Sequence, residues 1–382
     1  MVYTVKNAFG GLMEQDNLII ALLILLVGFI SIEIGISTAI LEILAGVIGA
    51  NLFGLSISEY HWLNFIADFG LLGLMFFAGF ETDPNILKKR LFENITLGTV
   101  SYLAPFIIIF LIAITIFGFS INTAIVISIA LSTTSLALVY SVSRDLGKLS
   151  SLTGQILLGS AMVADILSML SLTLLIGGYG IYTVLYAVAL LVLLYLSPKI
   201  GKVIFTRYKG NPTEIEIKFI LLLLLIMPFF SERVGISEAV FAFLLGVLFS
   251  EMIEEDKVVE EKLRGLIFGF FAPAFFFKAG SLINVSYITT YVIILILIFG
   301  LLAYLSKYLS TYLLSRKLLK GEVNPKTFGL FFNFRLTFGV VAALFGLENG
   351  YLAEELYIVI LIIILSTSVI SAVLLKAIPK ED

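Results

Sequence analysis

Residues 159–170 read GSAMVADILSML, and in that apolar stretch stands one carboxylate, Asp165, with no polar side chain directly on either side. An ionisable group at such a depth is costly, by a few kcal/mol on insertion scales, and marks a functional site by default. Burial disfavours its charged form and a nearby cation favours it, so a carboxylate balanced between the two holds a proton or a metal cation but not both. Lys307, near the centre of the apolar run that contains LLAYLSKYLSTYLL (301–314), is the counter-ion expected for it. A bridge between them would satisfy the site when empty and give way to a bound proton or cation.

Four consecutive hydroxyl residues, Ser132, Thr133, Thr134 and Ser135 in ALSTTSLALV (130–139), interrupt the run ahead of the aspartate. Single hydroxyls in membrane helices commonly bond back to the preceding turn. Four in succession fit a broken helix, whose freed carbonyls and half-helix ends coordinate a small cation. A matching break is expected in FFNFRLTFGVV (331–341), which offers Asn333, Arg335, Thr337 and Gly339. Arg335 keeps its proton and so is read as a fixed charge that shapes the field. Lys278, in FAPAFFFKAGSLIN (271–284), either snorkels to the nearer face or turns a second cation toward the site. Glu42, Asp68 and Glu238 lie nearer the ends of their runs and are expected to be structural, and Glu81 and Asp83 to be solvated caps. His61, beside Trp62 at the start of a run, is expected to anchor at an interface.

These residues need elements to hold them, and composition says which kind. The chain of 382 residues is 60% hydrophobic and 13% charged, with a mean hydropathy of +1.11. Soluble domains carry about a quarter charged residues, so lipid is this chain's main solvent. Without cysteine there are no disulfides, thiol chemistry or cysteine metal sites, and a single histidine argues against histidine-based metal or triad chemistry. The N-terminus shows no signal-peptide cleavage pattern. An intramembrane aspartyl protease would need two central aspartates, one in a Gly-x-Gly-Asp setting, and no such pair stands out.

At roughly twenty apolar residues per crossing, about thirteen spans are read, near 17–33, 37–55, 63–80, 94–118, 121–142, 152–177, 180–197, 215–231, 236–251, 264–283, 287–314, 327–347 and 352–376. Basic residues accumulate on cytoplasmic loops. Here 19 of the 24 lysines and arginines fall in alternate loops and the C-terminal tail, among them Lys88, Lys89, Arg90, Lys199, Lys202, Arg316 and Lys317. That places the N-terminus outside and the C-terminus in the cytoplasm. The rest are Lys6, Arg233 and the three cations inside spans, Lys278, Lys307 and Arg335.

Thirteen spans divide as six, one and six, and the odd spacer inverts the second six relative to the first. The expected architecture is an all-α polytopic membrane protein, an inverted repeat with two broken, crossing helices. It forms one transporter domain over 1–382, with repeat one near 17–177, a linker helix near 180–197, repeat two near 215–376 and no soluble domain. The halves show no convincing letter-by-letter similarity, so the repeat rests on topology.

At these residues the chain resembles sodium/proton exchangers of the cation:proton antiporter two family, which includes potassium-efflux systems. FFAGFETD (76–83), TTSLALV (133–139), GQILLGSAMVADILSML (154–170), PAFFFKAG (273–280) and SKYLSTYLL (306–314) resemble its signatures in order and spacing. The chain also departs from them. Where the family carries two polar residues in succession, it has Ala164 before Asp165. The family's Arg-Gly-Glu reads Arg335, Leu336, Thr337; Lys278 replaces a small residue, and Leu136 a frequent proline.

The resemblance implies a multi-pass protein of the plasma membrane that exchanges a monovalent cation, foremost Na+ and otherwise K+ or Li+, for H+, without a cofactor or nucleic-acid partner. It further implies a homodimer in which a core of spans three to five and ten to twelve, with span six or its equivalent partners, moves against a dimerisation panel. With one carboxylate the exchange is expected to be electroneutral: Asp165 takes the cation or proton, helped by Ser132, Thr133 and Thr134 and paired with Lys307. The alternative is a sodium-coupled symporter of an organic anion, with Lys278 and Arg335 holding the anion.

Overall fold

The computed structural model describes residues 2–34, 37–55, 61–80, 90–145, 148, 151–176, 181–234, 238–254 and 256–376. Glu81 and Asp83 lie outside them, as does the rest of the 81–89 loop. The described chain is helical: α1 Val2–Ile34, α2 Thr38–Phe53, α3 His61–Phe80, α4 Leu91–Thr115, α5 Ile121–Ser132, α6 Leu136–Asp145, α7 Leu152–Ile176 and α8 Ile181–Arg207. Then follow α9 Ile215–Val234, α10 Glu238–Glu254, α11 Lys257–Leu266, a π-turn at Ile267–Phe271, α12 Ala272–Ser281, α13 Thr290–Leu318, α14 Pro325–Phe331, α15 Leu336–Glu348 and α16 Glu354–Lys376.

Each of the thirteen apolar runs falls on a helix, and the fifth and twelfth are broken, giving α5–α6 and α14–α15. Among the described residues, eight helical segments are long and apolar enough to cross a membrane, and Thr38–Phe53, Ile121–Ser132 and Phe241–Ser250 are shorter apolar helices. Three helices clearly outrun their apolar stretches, and the first of them, α1, starts at Val2, well ahead of its run. The seventh run continues through its lysines to Arg207, and the tenth begins at Lys257, where the Asp256 carboxylate accepts the Val259 N–H at 3.4 Å and caps the charged first turns. His61 and Trp62 are exposed at the start of α3, where an interfacial anchor is expected to stand.

Extensive helix packing falls within two groups. One holds α1–α3 and α8–α12; the other holds α4–α7 and α13–α16. This corrects the expected core: spans four to six and eleven to thirteen pack together, while spans three and ten belong to the opposite group. The reason lies in glycines. A Cβ at Gly46 would collide with the Phe277 carbonyl and one at Gly280 with the Ile43 carbonyl, which ties α2 to α12 at backbone contact. Likewise a Cβ at Gly79 would strike the Phe243 carbonyl and one at Gly246 the Phe76 carbonyl, tying α3 to α10. Such close approach is how small residues drive helix association where lipid removes the hydrophobic driving force.

The second group closes similarly, with Gly98 of α4 against the Ser160 carbonyl and Val163, and Gly159 of α7 against Asn94. Its unbroken helix α13 buries one stripe, Val292, Leu295, Phe299, Ala303, Lys307, Thr311 and Ser315. That spacing is one helical face, so Lys307 points into the group by register.

Gly246→Ala and Gly280→Ala should each lower the thermal unfolding midpoint of detergent-purified protein, since overpacking costs roughly 1–3 kcal/mol. Gly265→Ala, whose Cβ meets nothing within 4 Å, should leave it unchanged in the same assay.

Candidate ion-binding site

The site is built where two helices stop in mid-bundle. Helix α5 ends at Ser132, Thr133 takes extended backbone (φ −63°, ψ 162°), and α6 resumes at Leu136. Helix α14 ends at Phe331 and α15 resumes at Leu336, with Arg335 at φ −123°, ψ 8° between them. Each break frees backbone groups that lipid cannot satisfy. Part of that need is met by the other break: the Ser135 N–H donates to the Phe334 carbonyl at 2.6 Å, and the Ser135 and Thr337 hydroxyls are hydrogen-bonded. Thr134 Oγ1 reaches the Phe332 carbonyl at 3.5 Å. Close crossing is possible because Gly339 presents no side chain to α5; a Cβ there would lie 3.0 Å from the Ala130 carbonyl.

Charged side chains meet the remaining ends of the first break. Lys307, fully buried, donates from Nζ to the Ser132 carbonyl and to the Thr133 carbonyl at 2.6 Å, at the C-terminal end of α5. Asp165, 4% exposed, accepts from the Leu136 N–H and from Thr133 Oγ1, both at 3.4 Å, at the N-terminal end of α6. A helix C-terminus favours a cation and an N-terminus an anion, so each half-helix end faces the sign it attracts. This corrects the expected salt bridge. Among the described residues no ion pair joins Asp165 to Lys307, because the ammonium is already engaged by the two carbonyls.

Arg335 is fully buried and donates from Nη2 to the Ala303 carbonyl and to Asn333 Oδ1, each at 2.7 Å, while Asn333 Nδ2 donates to the Gly329 carbonyl at 2.8 Å. Ala303 and Lys307 lie one turn apart on α13, which therefore serves both breaks from one face. Of the hydroxyl run, Thr133 reaches Asp165, Thr134 and Ser135 turn to the second break, and Ser132 contributes its carbonyl to Lys307. Ala164 is buried beside the aspartate and adds no polar atom.

Lys278 lies away from this cluster and does not snorkel. It is 4% exposed, and its Nζ pairs with Asp68 at 2.7 Å and Glu348 at 3.3 Å. Asp68 thus has a defined charge partner. Glu42 is buried in α2, apart from the second group, and Glu238 opens α10.

Chemically, the cluster presents one carboxylate, a threonine hydroxyl and backbone dipoles. Among the described residues no group of three or more histidine, cysteine, aspartate or glutamate side chains stands ready for a metal ion. Hard oxygen donors with a single negative charge suit a weakly held monovalent cation better than a divalent or transition metal. Sequence reasoning expected freed backbone groups at a break but did not name them: Leu136 N–H and the carbonyls of Ser132, Thr133, Ala303 and Phe334. Their only signal was the hydroxyl run that predicted a break.

The family model described as sodium/hydrogen exchanger, transmembrane, matches residues 18–380. The chain belongs to that family. Within the sodium/hydrogen exchanger family, it is similar to the probable Na(+)/H(+) antiporter 3 of Methanocaldococcus jannaschii, 27% identical over 335 residues that cover 85% of this chain and 86% of that one. It is also similar to the Na(+)/H(+)-K(+) antiporter GerN of Bacillus cereus, 25% identical over 383 residues covering 94% of each. The solved sodium proton antiporter MjNhaP1 from Methanocaldococcus jannaschii shares the fold, with a TM-score of 0.67 over 96% of this chain and 95% of that one at 17% identity.

Lys307→Met should lower the unfolding midpoint, because it leaves two buried carbonyls unpaired at about 1–3 kcal/mol. Thr134→Val, which loses only a long contact, should shift it less in the same thermal assay.

Proposed function

We propose that this chain is a secondary antiporter that exchanges a monovalent cation, foremost Na+, for H+, with Asp165 binding one or the other. The observation that carries the reading is a single buried carboxylate at the N-terminal end of a half-helix, with a threonine hydroxyl and freed backbone groups around it. Its ligands are long, 3.4 Å each, so the carboxylate is held in place without being saturated. A proton neutralises it; a cation takes its charge and draws on the Thr133 hydroxyl oxygen beside it. The names of the relatives, Na(+)/H(+) antiporters among them, support the same exchange.

Lys307 and Arg335 serve in this reading as fixed charges. Lys307 holds the carbonyl end of α5 so that a cation is not trapped there, and Arg335 keeps the second break closed on α13. With Ala164 in place of a second polar group, one proton is exchanged for one cation and the cycle is electroneutral. The anion symporter loses its support at Lys278, which two carboxylates already occupy.

The basic residues of alternate loops support a plasma-membrane protein with its N-terminus outside and its C-terminus in the cytoplasm. The group α4–α7 with α13–α16 carries the site and moves against α1–α3 with α8–α12, the latter forming the contact in a homodimer. The glycine pairs support the inverted repeat, since the α2–α12 contact through Gly46 and Gly280 has its counterpart in the α10–α3 contact through Gly246 and Gly79.

In proteoliposomes, Asp165→Asn should abolish cation-driven proton movement, and the parent rate should not follow an imposed membrane potential. Competition for one site further requires that lowering the pH raise the half-saturating cation concentration without changing the maximal rate. Exchange that survives in Asp165→Asn contradicts the assignment, and a rate that follows the potential contradicts one-for-one exchange.

A further inference from the structure

Lys278 stands in a place that the ion site does not explain. It lies in the last turn of α12, on the side opposite the basic loops, and its side chain is 5% exposed against 47% for Asp68 and 53% for Glu348. The two carboxylates come from different bodies. Asp68 is on α3, packed extensively with α12 in the same group, whereas Glu348 ends α15 in the group that carries the ion site. One residue further along α12, the Ala279 carbonyl accepts the hydroxyl of fully buried Tyr357 on α16 at 2.8 Å. Two polar contacts between the groups therefore sit side by side at the same end of the molecule.

We propose that Lys278 and Glu348, with Tyr357 on the Ala279 carbonyl, form a latch that holds the outer side closed and opens once per transport cycle. The inference rests on the reading that the two groups move against each other. Asp68 makes the latch reversible. A buried ammonium left without a counter-ion is heavily penalised, but when Glu348 departs with its group, Asp68 remains beside the lysine. The charge is never stranded, so the contact can break and re-form. Lys278 and Glu348 touch neither ion nor proton; they position the bodies and thereby set how often the site faces each side.

Disrupting the latch favours the outward-facing state. A partly exposed ion pair is worth about two- to fivefold in population. Lys278→Met and Glu348→Gln should each lower the half-saturating cation concentration at the outer face by that factor and raise it at the inner face. The double variant should do no more than either single one, because both remove the same contact.

The absence of cysteine allows a direct test. Lys278→Cys/Glu348→Cys is reconstituted in proteoliposomes and treated with a reducible bifunctional methanethiosulfonate. Before treatment, exchange within about fivefold of the parent is expected; cross-linking should abolish it and reductant restore it. A cross-linked protein that exchanges as before overturns the latch alone, and so does a pair that fails to cross-link. A parent chain that shows no exchange overturns the transport reading, and the latch with it.

Discussion

Everything in this structure turns on the problem of ending a helix inside a membrane. A break frees amide and carbonyl groups that hydrocarbon cannot satisfy, and each end carries about half an elementary charge. The chain answers with opposite charges on the two ends, Lys307 on the carbonyls of Ser132 and Thr133 and Asp165 on the amide of Leu136. The two side chains come from α13 and α7, so the ends of the break are satisfied only with those helices packed against it. The carboxylate is held by the Leu136 amide and the Thr133 hydroxyl, not by the lysine, which in the proposed exchange leaves it open to a proton or a cation. The same arrangement that stabilises an interrupted helix supplies the groups of the proposed ion site.

Crossing the two breaks makes that site compact. Ser135 bonds to Phe334, Gly339 lets α15 approach α5, and Arg335 ties the second break to Ala303 of the helix that also carries Lys307. The site-bearing group is consequently stitched by polar contacts at its centre, while the other group is held by glycines that bring backbones together at α2–α12 and α3–α10. A body cross-tied at its two breaks and a body tied at its glycines can each stay rigid while, in the proposed cycle, the surface between them slides. In the proposed latch the polar contacts at Lys278 and Tyr357 act on that surface and share no residue with the ligands of Asp165.

Much of this was legible in the sequence. The apolar runs gave each span because lipid demands about twenty apolar residues per crossing, and the hydroxyl run marked the first break because four polar side chains in a row have no other reason to lie there. Asp165 stood out for the same reason. Other features were not legible. Lys307 faces the break through its register on α13, and that it prefers carbonyls to the carboxylate depends on where α5 ends in space. The partition of spans three and ten depends on glycine contacts between helices distant in sequence; the equivalence of Gly46 with Gly246 and of Gly79 with Gly280 is visible only once the contacts are known. Lys278 was ambiguous because its partners, Asp68 and Glu348, lie 210 and 70 residues away in the chain.

The central claim is that proton and cation compete for one carboxylate, and it can be tested without a membrane. When Na+ is added to detergent-solubilised protein in weakly buffered solution, a single proton should leave per chain, and Asp165→Asn should bind no cation and release none. Cation binding without proton release, or release that persists in Asp165→Asn, would contradict the account.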